Sequence, residues 1–137
     1  MAKEKDKVIN TSGKRKTAVA RASITAGKGR IRINNVPLEI YMPELARLKI
    51  MEAVFPAKDK INQVDVWVNV KGGGQMGQAH ATRTAIARGL VQFFKDQVLE
   101  ATYKHLDRGL LVNDSRRKEP KHQLGRGARK KRQKSYR

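Results

Sequence analysis

The chain has no cysteine. Disulfides and thiolate metal sites are therefore excluded, and no oxidising compartment is required. No apolar run approaches the roughly 18 residues that a membrane-spanning helix needs, so the chain is expected to be soluble. The opening MAKEKDKVIN is polar and mixed in charge, which is not the pattern of a secretory signal. Acids are scarce: 12 Asp and Glu face 31 Lys and Arg, for a net charge of +19 and a pI near 10.8. Such a field favours a polyanionic partner, nucleic acid ahead of an anionic membrane surface, because unrelieved self-repulsion destabilises a compact chain. With 137 residues, 39% of them hydrophobic, the chain supports one modest core and not two.

Catalytic signatures are missing too. Gly27-Lys28 is followed by Gly29 and Gly13-Lys14 by Arg15, so neither is a Walker sequence. His80, His105 and His122 fall in separate segments without metal-ligand spacing. Asp59 and Asp65 are the two acids a nuclease could use for Mg²⁺, but Lys58 and Lys60 flank Asp59, which reads as a solvated loop. Ser, His and Asp occur without a signature that joins them as a triad. The chain is therefore read as no enzyme, with no cofactor, no metal and no homo-oligomer expected.

The charge that is present is unevenly placed. Residues 1–16 hold six Lys or Arg and two acids, net +4. Residues 17–114 hold fourteen and nine, net +5, and residues 115–137 hold eleven and one, net +10. This divides the chain into a basic N-terminal extension (1–16), a mildly basic globular domain (17–114) and a basic tail (115–137). Within the tail Leu124 is the only Leu, Ile, Val or Met. That is too little apolar surface to offset the entropy of ordering, so the tail is expected to be disordered when free of RNA. Fully extended it reaches roughly 75 Å, beyond the width of the domain.

Within the domain, Ala18, Ala20, Ala22 and Ile24 alternate with Val19, Arg21 and Ser23, which predicts a strand over Thr17–Thr25. A glycine-bearing turn and the alternating Arg30-Ile31-Arg32-Ile33 complete an expected hairpin. Asn34-Asn35 is a second turn signal. Pro43 and Glu44 open a helix carrying Leu45, Leu48, Met51 and Phe55 at helical spacing, and Pro56 stops it. Val64, Val66, Val68 and Val70 alternate with Asp65, Trp67 and Asn69 in the clearest strand. Residues 77–103 read as helix, with Ile86, Leu90, Phe93 or Phe94 and Leu99 on one side, and with Gly89 or Lys95-Asp96 as breaks. Leu110-Leu111-Val112 suits a short last strand. The order predicts an α+β fold with helices on one face of a mainly antiparallel sheet.

Gly72-Gly73-Gly74-Gln75-Met76-Gly77 fits G-x-G-x-x-G between a strand and a helix. A dinucleotide fingerprint needs a second parallel strand ending near Asp96, and residues 78–100 read as helix instead. Two uses stay open: a structural turn, and a cradle for an RNA phosphate at a helix N-terminus. Arg83 and Arg88, one and two turns on, extend that surface or are solvated helix charges. Lys14-Arg15-Lys16, just before the first strand, are read as phosphate contacts, and Arg30 and Arg32, also candidate RNA contacts, are expected to share one exposed sheet face. Arg116, Arg117, Lys121, Arg126, Arg129, Lys130, Lys131 and Arg132 make the tail the strongest polyanion-binding signal. Tyr136, among Lys134, Ser135 and Arg137, either stacks on an unpaired base or is simply exposed. An architectural DNA-binding protein and a nucleotide-dependent enzyme built on the glycine turn are the rival readings.

The stretch Ser12 to Ala22 resembles the opening of the S-nine family of small-subunit ribosomal proteins. Asn34 to Tyr41, Gly72-Gly73-Gly74 with Gln78-Ala79 and Ala85 to Leu90, and the tail from Asp114 to Arg137 are similar to the same family in order. The ending Gln133-Lys134-Ser135-Tyr136-Arg137 looks like the archaeal and eukaryotic branch, and Gly125-Arg126-Gly127-Ala128-Arg129 tilts towards archaea. The resemblance implies a two-layer α/β sandwich like the second domain of small-subunit ribosomal protein five, with a crossover of unusual hand. It implies a cytoplasmic, ribosome-bound protein in the head of the small subunit, in contact with its ribosomal RNA and neighbouring ribosomal proteins. It also implies a tail that threads RNA to the peptidyl-site tRNA, with Lys134, Ser135, Tyr136 and Arg137 nearest the tRNA and Arg126 to Arg132 along the RNA path.

Overall fold

The structure, a computed structural model, describes residues 7–136. Five strands form one sheet: β1 (Ile9–Arg15), β2 (Ala18–Ala26), β3 (Ile31–Ile33), β4 (Val36–Pro37) and β5 (Val64–Lys71), in the spatial order β1-β2-β5-β3-β4. Three helices, α1 (Glu44–Val54), α2 (Gln75–Phe94) and α3 (Gln97–Leu106), accompany it. The expected α+β class is what the chain adopts.

Sheet burial alternates cleanly. Ala18, Ala20, Ala22 and Ile24 of β2 and Val64, Val66, Val68 and Val70 of β5 are buried under the helices, while Arg21, Trp67, Asn69 and Lys71 lie on the open face. Helix α2 is the spine of the other layer and is buried continuously from Ala81 to Ala87. Its contacts with the sheet are made by small residues on both sides, which lets backbones approach closely. A Cβ on Gly13 of β1 would run into the Ala81 carbonyl and lie 2.8 Å from the Ala85 amide nitrogen. Where α2 ends, Lys95 adopts the left-handed conformation (φ 50°), and Asp96 caps α3 by accepting from the Val98 N–H at 2.9 Å. Tyr103 of α3 is buried and its hydroxyl donates to the Ala53 carbonyl at 2.5 Å, tying α3 to the end of α1. Burial pushes that phenol's pKa upward, so it stays a neutral donor.

Four expectations are corrected. Much of the supposed N-terminal extension, 1–16, is β1, the edge strand paired antiparallel with β2 from Ile9↔Ile24 to Arg15↔Ala18. Its inward positions include Thr11 and Gly13, not large apolar residues, so hydrophobicity does not alternate along it. Residues 1–6 lie outside the described part. The hairpin of β2 is made with β1, through Lys16 at φ 51°, and not with β3. Strand β5 inserts between β2 and β3, pairing antiparallel with the first and parallel with the second. The Asn34-Asn35 turn, both residues at positive φ, does join β3 to β4, and the Asn34 side chain bonds both the N–H and the carbonyl of Val70.

The buried face of α1 is Ala46, Ile50 and Ala53, whereas Leu45, Leu48 and the following Phe55 are exposed. Alpha-helical spacing runs through both sets, and α1 packs its small-residue stripe on α2. Leu110 ends a 3-10 turn (Arg108–Leu110) rather than entering a strand, because Asp107 caps it by accepting from the Gly109 N–H at 2.7 Å. The long helix splits at Lys95-Asp96 as expected, whereas Gly89, the other expected break, lies buried inside unbroken α2.

Candidate nucleic-acid interface

Strand β5 delivers the chain into Gly72 and Gly73, at φ 79° and 68°, a backbone that side chains rarely adopt. A Cβ on Gly72 would sit 2.6 Å from the Thr17 carbonyl oxygen, so the turn passes hard against the β1–β2 hairpin tip. Gly74 precedes α2 in an extended conformation, no side chain caps the helix, and nothing approaches within 4 Å of where its Cβ would be. The positive end of a twenty-residue helix therefore opens outward with its first amides free of side-chain acceptors. Arg15, Lys16, Thr17, Gly73, Gly74 and His80 are among the walls of a 350 Å³ cavity there.

A second cavity of 520 Å³ continues from it, sharing Arg15 and His80 and adding Lys14, Arg108, Asp114 and Arg116. This is where the tail leaves the body. Asp114 forms a parallel bridge with Arg15 and an ion pair with its guanidinium. The same carboxylate receives Arg116 through Nε at 3.0 Å and a terminal nitrogen at 2.7 Å. The Lys14 N–H donates to Asn113 Oδ1 at 3.2 Å. Burial, with Arg83, Lys49 and Arg15 nearby, pushes His80 below its ordinary value, so the imidazole is neutral at pH 7. The two acids on this concave surface are already bonded to arginines, Asp107 to Arg83 and Asp114 to Arg15 and Arg116. What remains, glycine backbone, a helix N-terminus and cations, has the chemistry that suits a phosphate.

Of the residues singled out by sequence, Lys14, Arg15, Lys16, Gly72, Gly73, Gly74 and Arg116 converge here. Arg88 is half-buried on α2 and donates to the Ser12 carbonyl at 2.9 Å, so it braces β1. Arg32 stands on the open sheet face and Arg30 just before β3. Arg83 is corrected: its side chain is 5% exposed and is held by Glu52 at 2.5 Å and Asp107 at 2.9 Å. It is a structural cation, because about two turns of α2 around it, Ala81 to Ala87, are buried where an isolated helix pattern suggested solvent. Asp65 accepts the Lys28 and Arg30 N–H groups at 2.9 and 3.0 Å, which closes the β2–β3 loop and lowers its pKa. No group of three or more metal-ligating side chains occurs among the described residues.

Residues 115–136 form neither helix nor strand. Arg117, Lys121, Arg126, Lys130, Lys131, Arg132, Lys134, Ser135 and Tyr136 are exposed along it, and Arg129 forms a two-point pair with Glu119. Arg137 lies outside the described residues. Sequence reasoning missed His80 and Arg108. His80 was signalled by spacing alone, since it falls on the same helical face as Met76 and Gly77.

A family model described as ribosomal protein S9/S16 matches residues 13–137. The small ribosomal subunit protein uS9 of Methanothrix thermoacetophila is 59% identical over 131 residues, covering 96% of this chain and 99% of the relative. That of Thermoplasma volcanium is 58% identical over 129 residues, 94% and 98% of the two chains, and that of Halobacterium salinarum 53% over 131 residues, 95% and 99%. Turn, helix, hairpin tip and tail root all lie inside the matched span, and the chain belongs to the ribosomal protein S9/S16 family, in its archaeal branch.

Proposed function

We propose that the chain is a structural, non-enzymatic component of the small ribosomal subunit of the cytoplasmic ribosome, seated in the subunit head on ribosomal RNA. One observation carries this reading: the glycine turn, the α2 N-terminus, Lys14 to Lys16 and the root of the tail meet at one concave basic surface. Phosphates packed in folded RNA repel one another, and a fixed array of amides and cations relieves that repulsion while setting the protein's position. The tail, with Arg117, Lys121, Arg126 and Lys130 to Arg132 along it, takes a fixed path only when surrounded by RNA. Its end, Lys134 to Arg137, reaches the peptidyl-site tRNA. The fold supports the likeness to the second domain of small-subunit ribosomal protein five through its helices on one face of a five-stranded sheet. Leu45, Leu48 and Phe55, exposed and apolar, suit a neighbouring ribosomal protein better than RNA.

Sedimentation of a tagged chain through a sucrose gradient tests the reading. Stoichiometric recovery with small subunits is the expected result, and recovery only at the top of the gradient overturns it. Deleting Lys134 to Arg137 should leave incorporation nearly intact and weaken tRNA retention at the peptidyl site. Unchanged retention removes the tRNA role.

A further inference from the structure

The sheet face turned away from the helices has no assigned role in the proposed function. Strand register places Arg32 beside Trp67, Trp67 beside Ser23, and Asn69 beside Arg21 one step further, with Lys71 beyond. Together they line a shallow concavity of 600 Å³. Trp67 stands 42% exposed in it, and the Arg32 guanidinium lies 5.2 Å from its ring centroid. A solvated sheet face ordinarily mixes both signs of charge. Here Asp65 is turned into the β2–β3 loop by the Lys28 and Arg30 N–H groups, and Arg21, Arg32 and Lys71 make no ion pair among the described residues.

An exposed indole with a cation over it, ringed by positive charge, fits a base and its phosphates. A protein neighbour would leave those cations desolvated without partners unless it were strongly acidic. Duplex RNA presents no free base face, so the ligand this geometry suits is unpaired. We infer that the open sheet face, opposite the glycine turn's helix layer, binds an unpaired segment of RNA. A base stacks on the Trp67–Arg32 pair, and Arg21 and Lys71 hold the flanking phosphates. This rests on the RNA-binding reading above and adds a second surface to it.

Trp67 is the chain's only tryptophan, so its emission reports on this face alone. The full-length chain is titrated with an oligouridylate, an RNA duplex and heparin, with binding followed separately by anisotropy of the labelled polyanion. The expected result is saturable quenching by oligouridylate, with the duplex and heparin binding but leaving emission unchanged. Trp67→Ala should weaken oligouridylate binding about tenfold with the duplex little affected, and Trp67→Phe should restore most of it. Arg21→Gln with Lys71→Gln should weaken it several-fold at an unchanged melting temperature. Oligouridylate that binds without quenching, or heparin that quenches equally, overturns the stacking site and leaves RNA binding standing. Failure of every RNA to bind overturns both readings. Quenching seen only with another small-subunit protein assigns the face to a protein and overturns the inference.

Discussion

Arg83 shows how a single residue can change role between sequence and structure. As a cation on a helix it reads as a phosphate contact, yet it is enclosed and shared between Glu52 and Asp107. Its Nε has no partner among the described residues, so the site is under-satisfied as well as buried. Arg83→Met removes two charge-assisted bonds while its half-exposed acid partners turn to water. The expected cost is about 2 kcal/mol, read as a lower urea midpoint at unchanged slope. A pH dependence accompanies it. The Gly109 N–H, with the Arg83 charge, lowers Asp107, and Lys49 and Arg83 lower Glu52 against an opposing desolvation. Carboxyls depressed in the folded state give stability that is full above their unfolded values and lost as pH falls through the folded ones. Stability should therefore decline from about pH 5 downward, in the carboxylate range, and the decline should be shallower in Arg83→Met. Equal acid slopes in urea melts would show that other carboxylates dominate.

Among the elements, β5, α2 and the break before α3 were legible because their signals are local: strict alternation of valine, a glycine stop, and Lys95-Asp96 as cap chemistry. Strand β1 was not, since glycine and threonine do its packing against α2. Gly13→Ala would press a methyl against the backbone of Ala81 and Ala85, and a loss of about 2–3 kcal/mol is expected in thermal or urea unfolding. The neighbour relation of β3 was illegible for another reason. Its partner β5 lies more than thirty residues on, and no turn residue encodes a parallel pairing across a helix. On α1, larger side chains drew the eye to the wrong face. Ile50→Ala should cost about 2–4 kcal/mol, and Leu48→Ala less than about 0.5. The reverse ranking in chemical denaturation would restore the face that spacing alone suggested.

For the molecule as a whole, the separation of charge from core was plain in the sequence, because the last 23 residues carry net +10. What no linear reading gave is that the tail's root, the hairpin tip and the α2 N-terminus share one place, which only the sheet order brings about. Deleting residues 115–137 should leave the melting temperature of the body within a few degrees. It should also flatten the salt dependence of single-stranded RNA binding, by about 3 to 4 in the slope of log affinity against log salt. A body that unfolds on truncation, or an unaltered slope, would contradict this division of labour.

Asp114 is gripped by Arg15, a residue from the opposite end of the chain. The heading on which the cationic strand departs is thus set by the finished sheet and not by the strand itself. A chain that is complete but not yet folded carries the same charge with no bearing, and would adhere to any RNA it met. Closure of that one clasp makes folding a precondition for orientation, so that an immature copy is sticky while a mature copy is also addressed.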